Sequence, residues 1–228
     1  HMEQENQALS MPSTPSIRNF TPRLYQQTIF NTTLTKNTLV VLPTGLGKTS
    51  IAIMLAIQRL KQFPKQKILF LAPTKPLVDQ HKSSFIKYTN LNPETLVVFN
   101  GHISPKKRET LWKQAVIAFS TPQGLENDII NGIIDPKDVS LMVFDEAHRA
   151  VGDYAYTFLA KQYHKKATYP KILGLTASPG SDMEKIMEIF ENLFIEDIEI
   201  RTNKDPDVAP YIQETKVTWV SVVLPESF

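Results

Sequence analysis

From Thr38 onward the chain alternates short apolar runs with longer segments of helical period. Of the runs Thr38–Leu42, Lys67–Leu71, Thr95–Phe99, Ala115–Phe119, Leu141–Phe144, Lys171–Leu175 and Ile195–Ile200, nearly all are apolar throughout instead of alternating. A strand reads that way when both of its faces are buried, as in a parallel sheet covered by helices. The segments between carry recognisable helix starts. Thr21-Pro22 and Ser104-Pro105 set a hydroxyl before a proline at the first helical position, and Ser181 to Glu184 has capping-box spacing. Alternating strands and helices predict right-handed βαβ units: an α/β domain with a mostly parallel central sheet and helices on both faces.

Neither an internal repeat nor a Gly/Ser-rich linker divides this pattern, so residues 17–200 read as one domain. Residues 1–16 read as a tag scar, His1-Met2, followed by a flexible polar tail with Pro12 and Pro15. Residues 201–228 read as a loop and then a strand, Thr215–Leu224, leading toward a further domain, as in a piece cut from a longer chain. Composition narrows the partners. With 25 basic against 23 acidic side chains the net charge is only +2, so any grip on nucleic acid has to be local. The absence of cysteine excludes disulfides, thiolate catalysis and sulfur-ligated zinc. The longest apolar run, Ile51 to Ile57, is seven residues, where a membrane span needs about twenty. Without a signal or transit layout at the N-terminus, the expectation is an intracellular protein.

Chemistry concentrates at the ends of three predicted strands. After Leu39–Leu42 comes Pro43-Thr44-Gly45-Leu46-Gly47-Lys48-Thr49, leading into an apolar helix. A strand, a Gly-rich loop and a helix N-terminus together make a phosphate cradle. Gly45 and Gly47 let the backbone N–H groups turn inward, Lys48 supplies a cation for the β- and γ-phosphates, and the Thr49 hydroxyl suits Mg²⁺. Leu42 stands where the strict phosphate-loop pattern has its first glycine. Further on, Leu141–Phe144 ends in Asp145-Glu146-Ala147-His148. Two carboxylates at the C-terminal edge of a parallel sheet lie where ligands of α/β domains bind. There Asp145 suits the Mg²⁺ shell and Glu146 suits orienting and deprotonating an attacking water. The alternative is a helix start decorated with acids. A third run, Ile172–Leu175, ends in Thr176-Ala177-Ser178.

Taken in order, Pro43–Thr49, Ala72-Pro73-Thr74-Lys75-Pro76-Leu77-Val78, Thr121-Pro122-Gln123, Asp145–His148 and Thr176-Ala177-Ser178-Pro179-Gly180 resemble motifs I, Ia, Ib, II and III of superfamily 2 helicases. Their fuller wording, with Tyr154-Ala155-Tyr156 and Pro206 to Tyr211, resembles the archaeal Hef and Fanconi anaemia group M family of DEAH-box DNA helicases from about Arg23 to the C-terminus. The resemblance implies a RecA-like P-loop NTPase domain, the first of two. It implies a motor that uses ATP and Mg²⁺ on forked or branched DNA, in the cytoplasm with the nucleoid, or in the nucleus if eukaryotic. The implied nucleotide site comprises Arg23, Tyr25, Gln26, Thr44, Gly45, Leu46, Gly47, Lys48, Thr49 and Ser50. Gln26 would read the adenine edge, with Tyr25 or Arg23 packing near the base. Catalysis falls to Lys48, Asp145 and Glu146, the metal to Thr49 and Asp145, and coupling to His148, Thr176 and Ser178. The DNA track is implied at Pro73, Thr74, Lys75, Gly101, His102, Thr121, Pro122 and Gln123. Thr121, just before a predicted helix, suits a phosphate oxygen as well as an ordinary cap.

No motif IV, V or VI is present, so the arginine finger of a second RecA-like domain has no counterpart here, and the fragment alone is expected to be nearly inactive. Two alternatives remain at this stage: an RNA-directed relative, and a noncatalytic nucleic-acid-binding module. Other clusters read more plainly. Lys106-Lys107-Arg108 serves either a nucleic-acid backbone or a solvated face; Lys161, Lys165 and Lys166 read as a solvated face. Phe63, Trp112, Tyr154, Tyr156, Phe158 and Tyr163 are assigned to packing, and Arg149 either pairs with an acid or faces a partner domain.

Overall fold

The computed structural model describes residues 14–152, 154–178 and 182–212. Seven strands form one sheet: β1 (Thr38–Val41), β2 (Lys67–Leu71), β3 (Leu96–Phe99), β4 (Ile117–Ser120), β5 (Val139–Asp145), β6 (Ile172–Thr176) and β7 (Asp197–Ile200). Their order is β3-β4-β2-β5-β6-β1-β7 and every pairing is parallel. Successive strand residues feed opposite cores. Val40, Ile68, Phe70, Val143 and Leu173 join the cluster on one face, whereas Leu39, Leu69, Leu71, Met142, Phe144 and Ile172 join the cluster on the other. Both sets are apolar because both faces are covered, which is why the strands read as continuous runs.

Seven α-helices of the described residues cover the sheet: α1 (Leu24–Thr35), α2 (Lys48–Gln62), α3 (Lys75–Tyr88), α4 (Pro105–Gln114), α5 (Leu125–Ile130), α6 (Tyr154–Lys166) and α7 (Met183–Asn192). The most buried is α2, with every side chain from Ile51 to Ile57 in the core. It follows the phosphate loop directly, so the helix whose N-terminus faces the site is anchored by a continuous buried apolar segment.

The expected helix starts are met in part. The hydroxyl-proline start holds at α4, where the Ser104 hydroxyl accepts the Lys107 N–H at 3.4 Å. It fails at α1, which begins two residues after Thr21-Pro22 with Arg23 as N-cap. There the Gln26 side-chain oxygen accepts the Arg23 N–H at 2.9 Å, the bond that the third-position side chain of a capping box makes back to the N-cap. For α7 the cap is Asp182, whose carboxylate accepts the Glu184 N–H at 2.9 Å; Ser181 lies outside the described residues.

Both chain ends of the domain are tied down. Ser16 and Arg18 exchange backbone bonds with Asn90 and Tyr88 at the end of α3, so ordered contacts begin before the expected boundary at residue 17. After β7, Arg201 pairs with Glu199 and Asp207 at 2.9 Å each, and the chain folds back to bury Val208 in the core and to set Tyr211 beside Tyr25. The expected strand at Thr215–Leu224 lies outside the described residues. No helix among the described residues is long and apolar enough to cross a membrane.

Candidate nucleotide and nucleic-acid site

The sheet delivers its functional residues at the C-terminal ends of β1, β5 and β6, which are adjacent or next-but-one in the strand order. Beyond β1 the phosphate loop turns through two left-handed glycines, Gly45 at φ 88° and Gly47 at φ 92°, and Lys48 and Thr49 begin α2. The second glycine is required twice over. A Cβ built on Gly47 would lie 2.2 Å from the Gln26 side-chain nitrogen, whereas one on Gly45 would meet nothing within 4 Å.

Beyond β5 the chain passes through Asp145 and bends sharply at Glu146, a non-glycine residue at φ 53°, ψ 49°. That left-handed conformation costs about 1–2 kcal/mol in a residue with a Cβ. It turns the chain out of the ladder into the 3₁₀ segment Ala147–Val151 and presents the Glu146 carboxylate to the same cavity as the loop. Behind it, Gly174 of β6 leaves room for this turn: a Cβ there would sit 3.2 Å from the Ala147 methyl and 3.1 Å from Leu39.

One cavity of about 400 Å³ is lined by Thr44, Gly45, Gly47, Lys48, Thr49, Asp145 and Glu146, and also by Leu77, Gln80, His81 and Ser84 of α3. This set fits a Mg²⁺-nucleotide. Backbone N–H groups of a helix start, one lysine, the hydroxyls of Thr44, Thr49 and Ser84 and two carboxylates share the space, and among the described residues no group of three or more His, Asp and Glu could form an all-protein cage. Mg²⁺ is commonly held by one or two carboxylates with water and substrate phosphates completing its octahedron.

Beside the cavity, His148 Nδ1 and the buried Thr176 hydroxyl are 2.9 Å apart. That hydroxyl also donates to the Ser178 carbonyl at 3.0 Å and accepts the Ser178 N–H at 3.2 Å, while His148 Nε2 lies 3.5 Å from the Glu146 carboxylate. Glu146, His148, Thr176 and Ser178 thus form one polar chain from the cavity to the end of β6. Arg149 is exposed and points away from the core.

The expected base-recognition group is arranged differently. Tyr25 is fully buried and its hydroxyl donates to the Leu46 carbonyl at 2.7 Å, so it supports the phosphate loop from behind and cannot lie against a base. Its burial pushes the phenol above the usual tyrosine range, although nearby Arg23 opposes the shift. Gln26 is also buried, with its oxygen on Arg23 N–H and its nitrogen on the same Leu46 carbonyl at 3.3 Å; in this conformation its amide is turned inward. The Leu46 side chain is buried, leaving only its backbone to the loop. Arg23 stacks its guanidinium 4.5 Å from the Tyr211 ring centre. Ser50 lies on the first turn of α2, outside the cavity lining.

On the strand-loop side, Lys75, Gly101, His102 and Thr121 meet in a second depression of about 150 Å³ with Val78, Val98, Phe99 and Asn100. Pro73, Thr74, Pro122 and Gln123 flank it without lining it. Thr74 caps α3, accepting the Leu77 N–H at 3.4 Å. Thr121 does not cap a helix: α5 begins at Leu125 with Gly124 as its N-cap, so Thr121 sits in the connecting loop. Arg108 belongs to neither of the roles expected for its basic run. It is buried, makes a bidentate pair with Asp128, and donates to the Asn100 carbonyl at 2.5 Å, fixing the loop that carries Gly101 and His102. Lys106 and Lys107 remain exposed. Of the aromatics assigned to packing, Trp112, Tyr156 and Tyr163 are buried, but Tyr154 is 73% exposed.

Two residues expected at no site position hold Asp145 in place: His81, outside every motif, and Tyr156, assigned above to packing. His81 of α3 lies 2.7 Å from the Asp145 carboxylate, and the Tyr156 hydroxyl donates to the Asp145 carbonyl at 2.6 Å. A signal for His81 exists in the sequence: Val78, His81 and Phe85 are the buried stripe of α3, so an imidazole stands where apolar residues belong.

Residues 23–186 match the family model for DEAD/DEAH box helicases. A Methanocaldococcus jannaschii protein provisionally named an ATP-dependent RNA helicase is 48% identical over 206 residues, 90% of this chain and 26% of the relative. The ATP-dependent DNA helicase MPH1 of Saccharomyces cerevisiae is 40% identical over 225 residues, 98% of this chain and 22% of the relative. The chain thus spans about a quarter of the length of these curated relatives. Among solved structures, the Pyrococcus furiosus Hef helicase domain superposes with a TM-score of 0.80 at 54% identity, over 83% of this chain and 40% of that one. The family match, the parallel RecA-like sheet and the shared Hef architecture agree, and the chain belongs to the DEAD/DEAH box helicase family, as a first RecA-like domain of the Hef and Fanconi anaemia group M type.

Proposed function

We propose that this chain is the ATP-binding first motor domain of a DNA helicase or translocase that acts on forked or branched DNA during replication-fork processing and repair. The observation that supports it most is the meeting of Lys48, Thr49, Asp145 and Glu146 at one cavity from two separate strand ends, those of β1 and β5. In this reading Lys48 balances charge on the β- and γ-phosphates, and the loop N–H groups hold their oxygens. Thr49 and Asp145 hold Mg²⁺, which when bound supplies charge neutralisation between those phosphates. Glu146 orients a water and takes its proton as the water oxygen bonds to the γ-phosphorus and the bond to the β–γ bridging oxygen breaks, releasing ADP and phosphate. His148, Thr176 and Ser178 carry the state of Glu146 to the end of β6.

The depression at Lys75, Gly101, His102 and Thr121 supports a track for one DNA strand, gripped by its phosphates. A second RecA-like domain of the parent chain supplies the arginine that completes the site, a contribution of about 10³–10⁵ in rate. This fragment alone therefore binds nucleotide weakly and turns it over very slowly. The workplace of the parent is the nucleoid or, in a eukaryote, the nucleus.

The test uses the parent enzyme. Glu146→Gln is expected to abolish DNA-stimulated hydrolysis while sparing ATP binding, and Lys48→Ala to lose both. Unchanged hydrolysis in either variant would overturn the motor reading and favour a noncatalytic nucleic-acid-binding module. A second reading, an RNA-directed motor, draws support from the provisional name of the Methanocaldococcus relative, because phosphate-gripping loops carry little information about the sugar. Competition among forked DNA, single-stranded DNA and RNA for stimulating hydrolysis decides between the two.

A further inference from the structure

Asp145 is held from both faces of the sheet. From the α6 side, Tyr156 donates to its backbone carbonyl at 2.6 Å. From the α3 side, His81 Nε2 meets its Oδ2 at 2.7 Å, with both side chains more than nine-tenths buried. The imidazole itself is not free to turn. Its ring lies against Phe70, centroids 4.4 Å apart, and Phe70 is a core residue of β2, the strand that pairs with β5 up to Leu71–Phe144. A carboxylate oxygen accepts, so Nε2–H donates. The Nδ1 atom is buried without a hydrogen-bond partner among the described residues, so the ring's one polar contact is the Asp145 carboxylate. His81 also lines the cavity that holds Lys48, Thr49 and Glu146.

We infer that His81 is a positioning residue for the metal: by occupying Oδ2 it fixes the Asp145 carboxylate in one orientation and reserves Oδ1 for the Mg²⁺ shell. This rests on the nucleotide reading above and names a residue of α3, outside the helicase motifs read from the sequence, as part of the same site. The physical reason is general. A carboxylate free to rotate presents its oxygens to the metal only part of the time, and partners that lock a ligand's orientation are commonly worth about 10–100-fold in metal affinity.

The experiment measures binding of a fluorescent ATP analogue to this chain, with Mg²⁺ titrated and, separately, with Mg²⁺ removed by EDTA. His81→Phe keeps a ring against Phe70 but cannot donate; His81→Gln restores a donor of similar reach. The expected result is a rise of about tenfold or more in the Mg²⁺ concentration for half-maximal enhancement in His81→Phe, an unchanged affinity in EDTA, and recovery of most of the loss in His81→Gln. Equal Mg²⁺ dependence in wild type and His81→Phe would overturn the inference while leaving the nucleotide site intact. An equal loss with and without Mg²⁺, not recovered by glutamine, assigns His81 to packing and also overturns it. Failure of the wild type to bind the analogue, in a chain that melts cooperatively, sinks the nucleotide reading and this inference with it.

Discussion

The Tyr25 hydroxyl and the Leu46 carbonyl meet at 2.7 Å inside the protein, which couples α1 to the phosphate loop through one hydrogen bond. Gln26 reaches the same carbonyl less closely, at 3.3 Å. Removing the hydroxyl leaves that buried oxygen with the weaker partner only. Tyr25→Phe is therefore expected to destabilise the domain by about 1 kcal/mol, or about fivefold in nucleotide affinity if the loop alone bears the loss. Urea unfolding and nucleotide titration of the same variant apportion the effect. No change in either would show that the bond merely accompanies the loop geometry.

Substituting the two loop glycines separates conformation from space. Gly45→Ala pays only for a left-handed φ, about 1–2 kcal/mol, because its Cβ meets nothing. Gly47→Ala pays that cost and also drives a methyl into the Gln26 amide, so nucleotide binding is expected to fall much further. Adding Gln26→Ala to Gly47→Ala relieves the collision but not the backbone strain. Partial recovery of binding in the double variant checks the argument; identical effects of the two alanines would contradict it.

Much of this architecture is legible in the chain, for a reason visible in particular strands. Val40 and Leu39 face different cores, and both are apolar, so β1 announces burial on two sides and hence a parallel sheet. The three motif-bearing loops are legible because each follows such a run. Strand ends shift by a residue or two: β5 starts at Val139, where a bulge in the pairing with Lys67 adds residues that the apolar run does not mark. What stays hidden is pairing at a distance. Asp145 lies 64 residues from His81, and Asp128 lies 20 from Arg108. In both cases the local sequence shows only a polar residue on a buried helical stripe, with Arg108 and Trp112 forming the stripe of α4. The burial tells that a partner exists, not which one. Tyr25 and Gln26 show the converse: the motif marks both as ligand contacts, while the packing of α1, which the motif does not reveal, turns both side chains inward in this structure.

The Arg108–Asp128 pair turns a basic run into a structural anchor. Both side chains are buried, so truncating one strands the other charge. Arg108→Ala is expected to cost about 3–5 kcal/mol, whereas replacing the pair together by Met and Leu costs far less. Since Arg108 also holds the Asn100 carbonyl, the single variant should loosen the Gly101-His102 loop and weaken nucleic-acid binding by the parent enzyme. Chemical unfolding of the single and double variants checks the first claim. A single-variant loss below about 1 kcal/mol would place the pair among weak surface bridges.

Tyr163 makes the stability of the domain sensitive to alkali. The residue is fully buried on α6, and its oxygen accepts the Lys171 N–H at 3.1 Å. Burial pushes its phenol well above the usual value of 10.0, an effect that the Lys171 hydrogen bond and nearby Arg59 oppose without cancelling. Below about pH 10 both the folded and the unfolded chain keep the proton, so the stabilising contribution is complete. Above it the unfolded chain releases a proton that the folded chain still holds, and stability falls as pH rises toward the folded value. The slope from this one group approaches about 1.4 kcal/mol per pH unit. Tyr163→Phe removes the titrating group and leaves the Lys171 N–H unpaired, so it should be less stable at neutral pH by about 1–3 kcal/mol but flatter above about pH 10. Urea midpoints of both proteins from about pH 8 to about pH 11 measure the difference in slope, which also removes the background of other tyrosines and lysines common to the two. Parallel curves would mean that the Tyr163 phenol ionises alike in the folded and unfolded chains.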